Sequence, residues 1–258
     1  MYIHLITLGR IPYEEGLAVQ QRVVAARKAG AIGDTLLLME HPPVLTLGRN
    51  STRANVLVPD EELARRGVEL HQTNRGGDVT YHGPGQLVGY PIFDLRGDLP
   101  GKRGPHLGPV DFVRLIEEAL IRACAEFLVP AQRIPKRTGV WTVVHPGAGG
   151  SLLEKKIAAI GIHVSQGVTS HGFALNVTTD LRDFQWIVPC GITDREVTSL
   201  EAEADPPPTM DDAINAAAKS FGRVFGRQIL AAESVEELLR WVDPAHDDDD
   251  LRIERGDQ

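Results

Sequence analysis

Apolar and polar positions recur at distinct periods along the chain, and the periods lay out its elements. Ile3, Leu5 and Thr7 alternate as in a first strand. From Tyr13 to Ala29 the spacing is helical, with Leu17, Gln20 and Val24 suitably placed, Arg27-Lys28 near the end and Gly30 as a C-cap. Thr35 to Met39 and Val44 to Leu47 read as two strands joined by a short His-Pro-Pro connection, hence a hairpin. Pro59 to Arg66 reads as a short helix that stops at Gly67. Val68 to Leu70 and Gln86 to Phe93 read as strands on either side of a glycine-rich stretch, inside which Val79, Thr80 and Tyr81 favour extended backbone. The clearest helix runs from Pro109 to Phe127, where Phe112, Val113, Ile116, Leu120, Ala123 and Phe127 form one apolar stripe. Strands follow at Thr138 to Val144, Lys156 to Val164 and Val168 to Asn176. After the break at Pro206-Pro-Pro208, Thr209 caps a helix from Met210 to Phe225, and a shorter helix spans Val235 to Val242.

Strands outnumber helices and often neighbour each other as hairpins. This pattern favours an α+β fold, a mixed β-sheet with helices packed on one side, over a doubly wound parallel sheet. No Rossmann or P-loop fingerprint occurs. The chain divides into a body at 1–205, a C-terminal helical part of the same domain at 206–242, and a polar acidic tail at 243–258 that is expected to be flexible.

Composition narrows the class. The 258 residues are 42% hydrophobic and 24% charged, an ordinary globular balance. No apolar run approaches the roughly 20 residues of a membrane helix, so no membrane association is expected. The N-terminus lacks a basic region followed by a long apolar core, so a signal peptide is not expected. Two cysteines make no disulfide framework, and a cytoplasmic location follows as the expectation. A net charge of −8 argues against nucleic acid as a partner. The acid is concentrated beyond Glu201, whereas Arg65-Arg66, Lys102-Arg103, Lys136-Arg137 and Lys155-Lys156 lie earlier.

Candidate chemistry gathers in three places. Arg75-Gly-Gly-Asp-Val-Thr-Tyr-His-Gly-Pro-Gly-Gln86 surrounds polar side chains with unusual backbone freedom. A glycine-rich hairpin without chemistry is the bland alternative. Cys124 falls on the apolar stripe of the long helix and reads as a small buried hydrophobe. Cys190 sits in a Pro-Cys-Gly bend, and on residues alone a structural and a reactive role stand level. Lys156, if its segment is a strand, shares a face with Ala158, Ile160 and Ile162, where lost hydration would favour its neutral form. A lysine that merely snorkels from a strand end is the alternative. His82 and His171 sit in glycine-containing motifs and either shape a pocket, orient a carbonyl or serve as structural histidines. The spacing of histidines and cysteines fits no zinc site. Amides near Gly76-Gly77 and Gly161 are candidate oxyanion donors.

Arg75 to Gln86 resembles the signature of the lipoyl(octanoyl) transferases, acyltransferases of lipoate biosynthesis. Lys156-Ile-Ala-Ala-Ile-Gly161 running on to His171-Gly-Phe-Ala-Leu-Asn176, and Val188-Pro-Cys-Gly-Ile192 with Thr198-Ser-Leu200, resemble the same family in the same order. The resemblance covers about Leu5 to Leu200. It implies the catalytic-domain fold of biotin and lipoate protein ligases, with 1–205 as an acyltransferase catalytic domain. It implies that Cys190 is the nucleophile acylated as a thioester and Lys156 its proton-exchanging partner. Substrate contacts are implied for Arg75, Gly76, Gly77, Asp78, Val79, Thr80, Tyr81 and His82, for Ala159, Ile160 and Gly161, and for Gly172, Phe173 and Ala174. The implied donor is octanoyl-acyl carrier protein. The implied acceptors are lipoyl domains of 2-oxoacid dehydrogenase complexes and the glycine cleavage H protein. No metal and no cofactor are implied. An ATP-dependent lipoate or biotin ligase, a non-catalytic carrier-binding module and a cysteine thioesterase are the alternatives. Because acyl carrier proteins are acidic, docking calls for a positive patch at the pocket mouth, for which Arg49, Arg75, Lys136 and Arg137 are the candidates. Two departures from the family pattern are a long connection from Val144 to Lys155 and the acidic tail.

Overall fold

The computed structural model describes residues 1–144, 153–188 and 196–240. In chain order its strands are β1 (Tyr2–Arg10), β2 (Thr35–Glu40), β3 (Val44–Leu47), β4 (Glu69–Gln72), β5 (Val79–His82), β6 (Gln86–Ile92), β7 (Ala131–Ile134), β8 (Arg137–Val144), β9 (Leu153–Ser165), β10 (Val168–Asn176), β11 (Glu196–Val197) and β12 (Gln228–Ala231). The helices are α1 (Tyr13–Lys28), α2 (Asp60–Arg65), α3 (Pro109–Ala125), α4 (Leu200–Glu203), α5 (Met210–Phe225) and α6 (Val235–Arg240).

A large mixed sheet runs β12-β1-β2-β6-β10-β9-β8-β7, with β11 added in parallel to β9. A small sheet runs β4-β3-β5. β1 pairs in parallel with both β2 and β12, and the succession from β2 to β7 is antiparallel. The mixed α+β sheet read from the sequence is the architecture observed.

The helices occupy both faces of that sheet rather than one. Alternation along β2 explains it: Leu36 and Leu38 join the core under α3 and α5, whereas Leu37 and Met39 join the core under α1 and α6. A strand that is apolar on both sides needs cover on both sides. On the first face Phe112, Ile116 and Leu120 of α3 meet Ala213, Ala217 and Phe221 of α5. The rings of Phe93 and Phe225 lie 4.8 Å apart beneath them. Thr209 caps α5 through a capping box with Asp212, and Gly226 ends it at φ +63°.

The expected hairpin of β2 with β3 does not form. Both edges of β2 are occupied, by β1 and β6, so β3 has no edge to pair with. The chain instead steps across at His41-Pro-Pro43 into the small sheet. His41 is fully buried at the step, with Nδ1 2.9 Å from the Ile11 carbonyl and Nε2 3.3 Å from the Tyr90 hydroxyl. The glycine motif makes the return crossing: β5 belongs to the small sheet and β6 to the large one.

Candidate active site

The glycine motif lies directly on β9. Gly76 donates its N–H to the Ile162 carbonyl at 2.9 Å. A methyl group on Gly161 would stand 2.5 Å from the Gly76 carbonyl oxygen, and one on Gly172 would collide with the Gly89 carbonyl oxygen. Only glycine permits backbones to approach this closely. Because Ile162 engages the Gly76 amide, that N–H is not available to an oxyanion, contrary to the sequence expectation.

A cavity of about 550 Å³ opens along this contact. Of the substrate residues expected from the sequence, Arg75, Gly76, Gly77, Asp78, Val79, Thr80, His82, Ala159, Ile160, Gly161, Gly172, Phe173 and Ala174 line it, and so does Lys156. The walls also include Tyr13, Asn50, Val88, Tyr90, Val113 and Thr138, which carry no local signal because separate helices and strands bring them in. Among the described residues no group of three or more His, Cys, Asp or Glu side chains is placed to hold a metal ion.

Tyr81 does not line the cavity. Period-two alternation turns it to the other face of β5, where it packs at 5.6 Å from Phe184 and 5.7 Å from Trp186. Its hydroxyl donates to Asp183 at 2.5 Å. Asp78 accepts two bonds from the Asn55 amide at 2.9 and 2.7 Å, and the Asn55 carbonyl accepts the Val188 N–H at 2.8 Å. Tyr81 and Asp78 thus tie the motif to the stretch from Asp183 to Val188.

Arg75 is buried, 8% exposed. Its guanidinium donates to the Thr46 carbonyl at 2.6 Å and to the Thr46 hydroxyl at 2.9 Å. This corrects its expected place in a docking patch. Arg49 and Lys136 are exposed and Arg137 is half-buried; Lys136 and Arg137 reach the cavity.

The buried arginine acts on the histidines around it. His82 is pushed down to about 3, first by burial and then by His41, Arg75 and His171 nearby. His171 is pushed down to about 4 by burial, Arg75 and His163. Both rings are therefore neutral at physiological pH. Gln86 donates its amide to Tyr81 and Asn176, so its oxygen accepts from His82 Nδ1 at 2.7 Å. His171 Nε2 donates to the Asn74 oxygen at 2.7 Å. With each ring N–H engaged by protein, the two histidines shape the pocket and do not act as proton donors. His171 also holds a positive φ of 54°, at the point where β10 parts from β6. Gln20 of α1 accepts the His171 backbone N–H there, which explains a polar residue on a buried helix face.

Lys156 faces Trp141 across the β8–β9 pair, with Nζ 4.9 Å from the ring centroid. β11 returns on its other side: Val197 pairs with Lys156, and the Thr198 N–H donates to the Lys156 carbonyl at 2.9 Å. Cys190, and with it the expected approach of its sulfur to Lys156, lies outside the described residues. Described chain flanks it on both sides, at Val188 against Asn55 and at Glu196–Val197 against Lys155–Lys156. Cys124 is fully buried in the α3–α5 core, and burial pushes its thiol up to about 12, as its place on the apolar stripe led us to expect.

Residues 12–222 match the lipoyl protein ligase A/B catalytic domain. An octanoyltransferase of Acidobacterium capsulatum is 64% identical over 93% of this chain and 96% of its own length. One of Koribacter versatilis is 50% identical over 92% and 90%. Among solved structures, the bipartite lipoate protein ligase of Thermoplasma acidophilum superposes with a TM-score of 0.69 at 17% identity, covering 93% of this chain and 90% of that one. A lipoate-protein ligase A bound with ATP superposes at 0.70 and 17%, covering 93% and 92%. Carried by a match over residues 12–222 and by identities far above those of the structural neighbours, the conclusion is that this chain belongs to the lipoyl protein ligase A/B catalytic-domain family, among its octanoyltransferases.

Proposed function

We propose that the cavity holds an octanoyl chain while Cys190 and Lys156 carry it from octanoyl-acyl carrier protein to a lysine of a lipoyl domain. The observation that supports this most is the placement of Lys156. It reaches a cavity walled by the small residues Ala159, Gly161, Gly172 and Ala174, and its backbone is zipped to the strand that follows the Cys190 segment. Small residues leave room for a narrow alkyl chain, and the motif residues Arg75 to Thr80 and His82 complete the lining.

In the first half-reaction Lys156 takes the proton of the Cys190 thiol. The thiolate attacks the carbonyl carbon of the octanoyl thioester, the bond to the carrier's sulfur breaks, and Lys156 returns the proton to the departing thiolate. In the second half the acceptor's ε-amine attacks octanoyl-Cys190. Its proton passes to Lys156, the carbon–sulfur bond breaks to give the octanoyl amide, and the released Cys190 thiolate takes that proton back from Lys156. A thiol near its ordinary value of about 8.5 is mostly protonated at neutral pH, which is why it needs a partner base. Thioester to thioester to amide runs downhill without ATP, metal or cofactor. Acceptors of this chemistry are lipoyl domains of 2-oxoacid dehydrogenase complexes and the glycine cleavage H protein, and the cytoplasm is the compartment we assign.

The test is transfer from octanoyl-acyl carrier protein to a purified lipoyl domain with ATP omitted, read as an octanoyl amide by mass spectrometry. Transfer without ATP, lost in Lys156→Met, is the expected result. Transfer that depends on ATP and free octanoate identifies a ligase instead.

A further inference from the structure

We infer that Trp141 is a positioning residue for Lys156: its indole face holds the lysine's ammonium in the cavity wall during the steps in which Lys156 carries a proton. This deepens the reading above, since it rests on Lys156 as the proton carrier.

The geometry is built from β8 outward. A register shift lies between Val140 and Trp141, so that Trp141, not its neighbour, stands opposite Lys156. Gly139 begins the irregularity at φ +119°, and a methyl group there would stand 2.6 Å from the Ala158 carbonyl and 3.4 Å from Lys156 Cε. Glu117, fully buried in α3, accepts the Gly139 N–H at 3.1 Å and is itself bound by Arg114 and Arg133. Trp141 is 1% exposed, so its ring cannot swing away. A rigid aromatic face 4.9 Å from an ammonium is a cation–π contact.

Other charged groups share this region. Arg137 lies 6.0 Å over the same ring, Lys136 and Arg75 line the same cavity, and His82 and His171 are neutral. Among the described residues, Asp78 in the cavity wall, Glu154 on β9 and Glu196 on β11, which pairs with Lys155, are carboxylates in this region, while Glu117 stands behind Gly139 with its two arginines. An aromatic face stabilises the protonated form of the lysine only.

Site-specific replacement of Trp141 by fluorinated tryptophans weakens the ring's field without changing its shape, which avoids the folding risk of Trp141→Leu. The ¹³Cε resonance of Lys156 reports its titration directly. Loss of the contact is expected to lower the midpoint by about 0.5–1 pH unit, in steps with fluorine number. The basic limb of the octanoylation half-reaction should fall with it, because that half needs the ammonium to protonate the departing thiolate. Trp141→Phe should retain most of the effect. A midpoint that stays or rises overturns the inference, since a purely structural tryptophan would alter melting and not this titration. Wild-type protein that never carries octanoyl on Cys190 overturns the reading of the reaction instead, and the lysine titration still decides the role of Trp141.

Discussion

At the scale of single residues, environment separates groups of the same type. Cys124 is sealed in the α3–α5 core, so Cys124→Ala should leave transfer intact and cost about 1–2 kcal/mol of stability, read from denaturant unfolding. The buried histidines make a second prediction. His82 at about 3 and His171 at about 4 lie below the 6.5 of an unfolded chain. Between those values and 6.5 the unfolded state binds more protons than the folded one, so stability falls as pH drops through that window. Melting temperature measured from pH 7 to pH 4 should decline, and His82→Gln should flatten the decline. An unchanged slope in that variant would show that His82 does not drive it.

At the scale of elements, the site depends on close backbone contact between the glycine motif and β9. Gly161→Ala places a methyl group 2.5 Å from a backbone oxygen, where no flexible side chain can yield. The expected cost is about 1–3 kcal/mol, with octanoyl transfer falling at least tenfold as the motif lifts from β9. A variant with wild-type melting and turnover would contradict the contact. Most elements were legible beforehand, because their periodicity is local: α1, α3, α5 and β8 to β10 fall within a few residues of the sequence reading. Sheet membership was not legible. Nothing in Thr35 to Leu47 says that both edges of β2 are filled by chain from elsewhere, so the pairing with β3 was misread. The short β7 and β12, of four residues each, gave too few repeats to stand out. The site shows the same division. Residues within a motif could be named, whereas the outward turn of Tyr81, the burial of Arg75 against Thr46 and the facing of Trp141 on Lys156 are consequences of tertiary packing.

At the scale of the whole molecule, the proposed reaction requires a chain of net charge −8 to meet an acidic carrier. With Arg75 buried, the proposed docking charge rests on exposed Arg49 and on Lys136 and Arg137 at the cavity. Lys136→Glu combined with Arg49→Glu should raise KM for octanoyl-acyl carrier protein several-fold at low salt and by less at high salt, with kcat little changed, because screening shortens the reach of exposed charge. Equal salt profiles for variant and wild type would remove these residues from docking. The central claim is a covalent relay through one cysteine, and it is tested most directly by intact-protein and peptide mass spectrometry after exposure to octanoyl-acyl carrier protein without an acceptor. The account predicts a single octanoyl group on the peptide containing Cys190, absent in Cys190→Ser and discharged when a lipoyl domain is added. Octanoyl on Cys124, or full turnover by Cys190→Ala without any adduct, would contradict it.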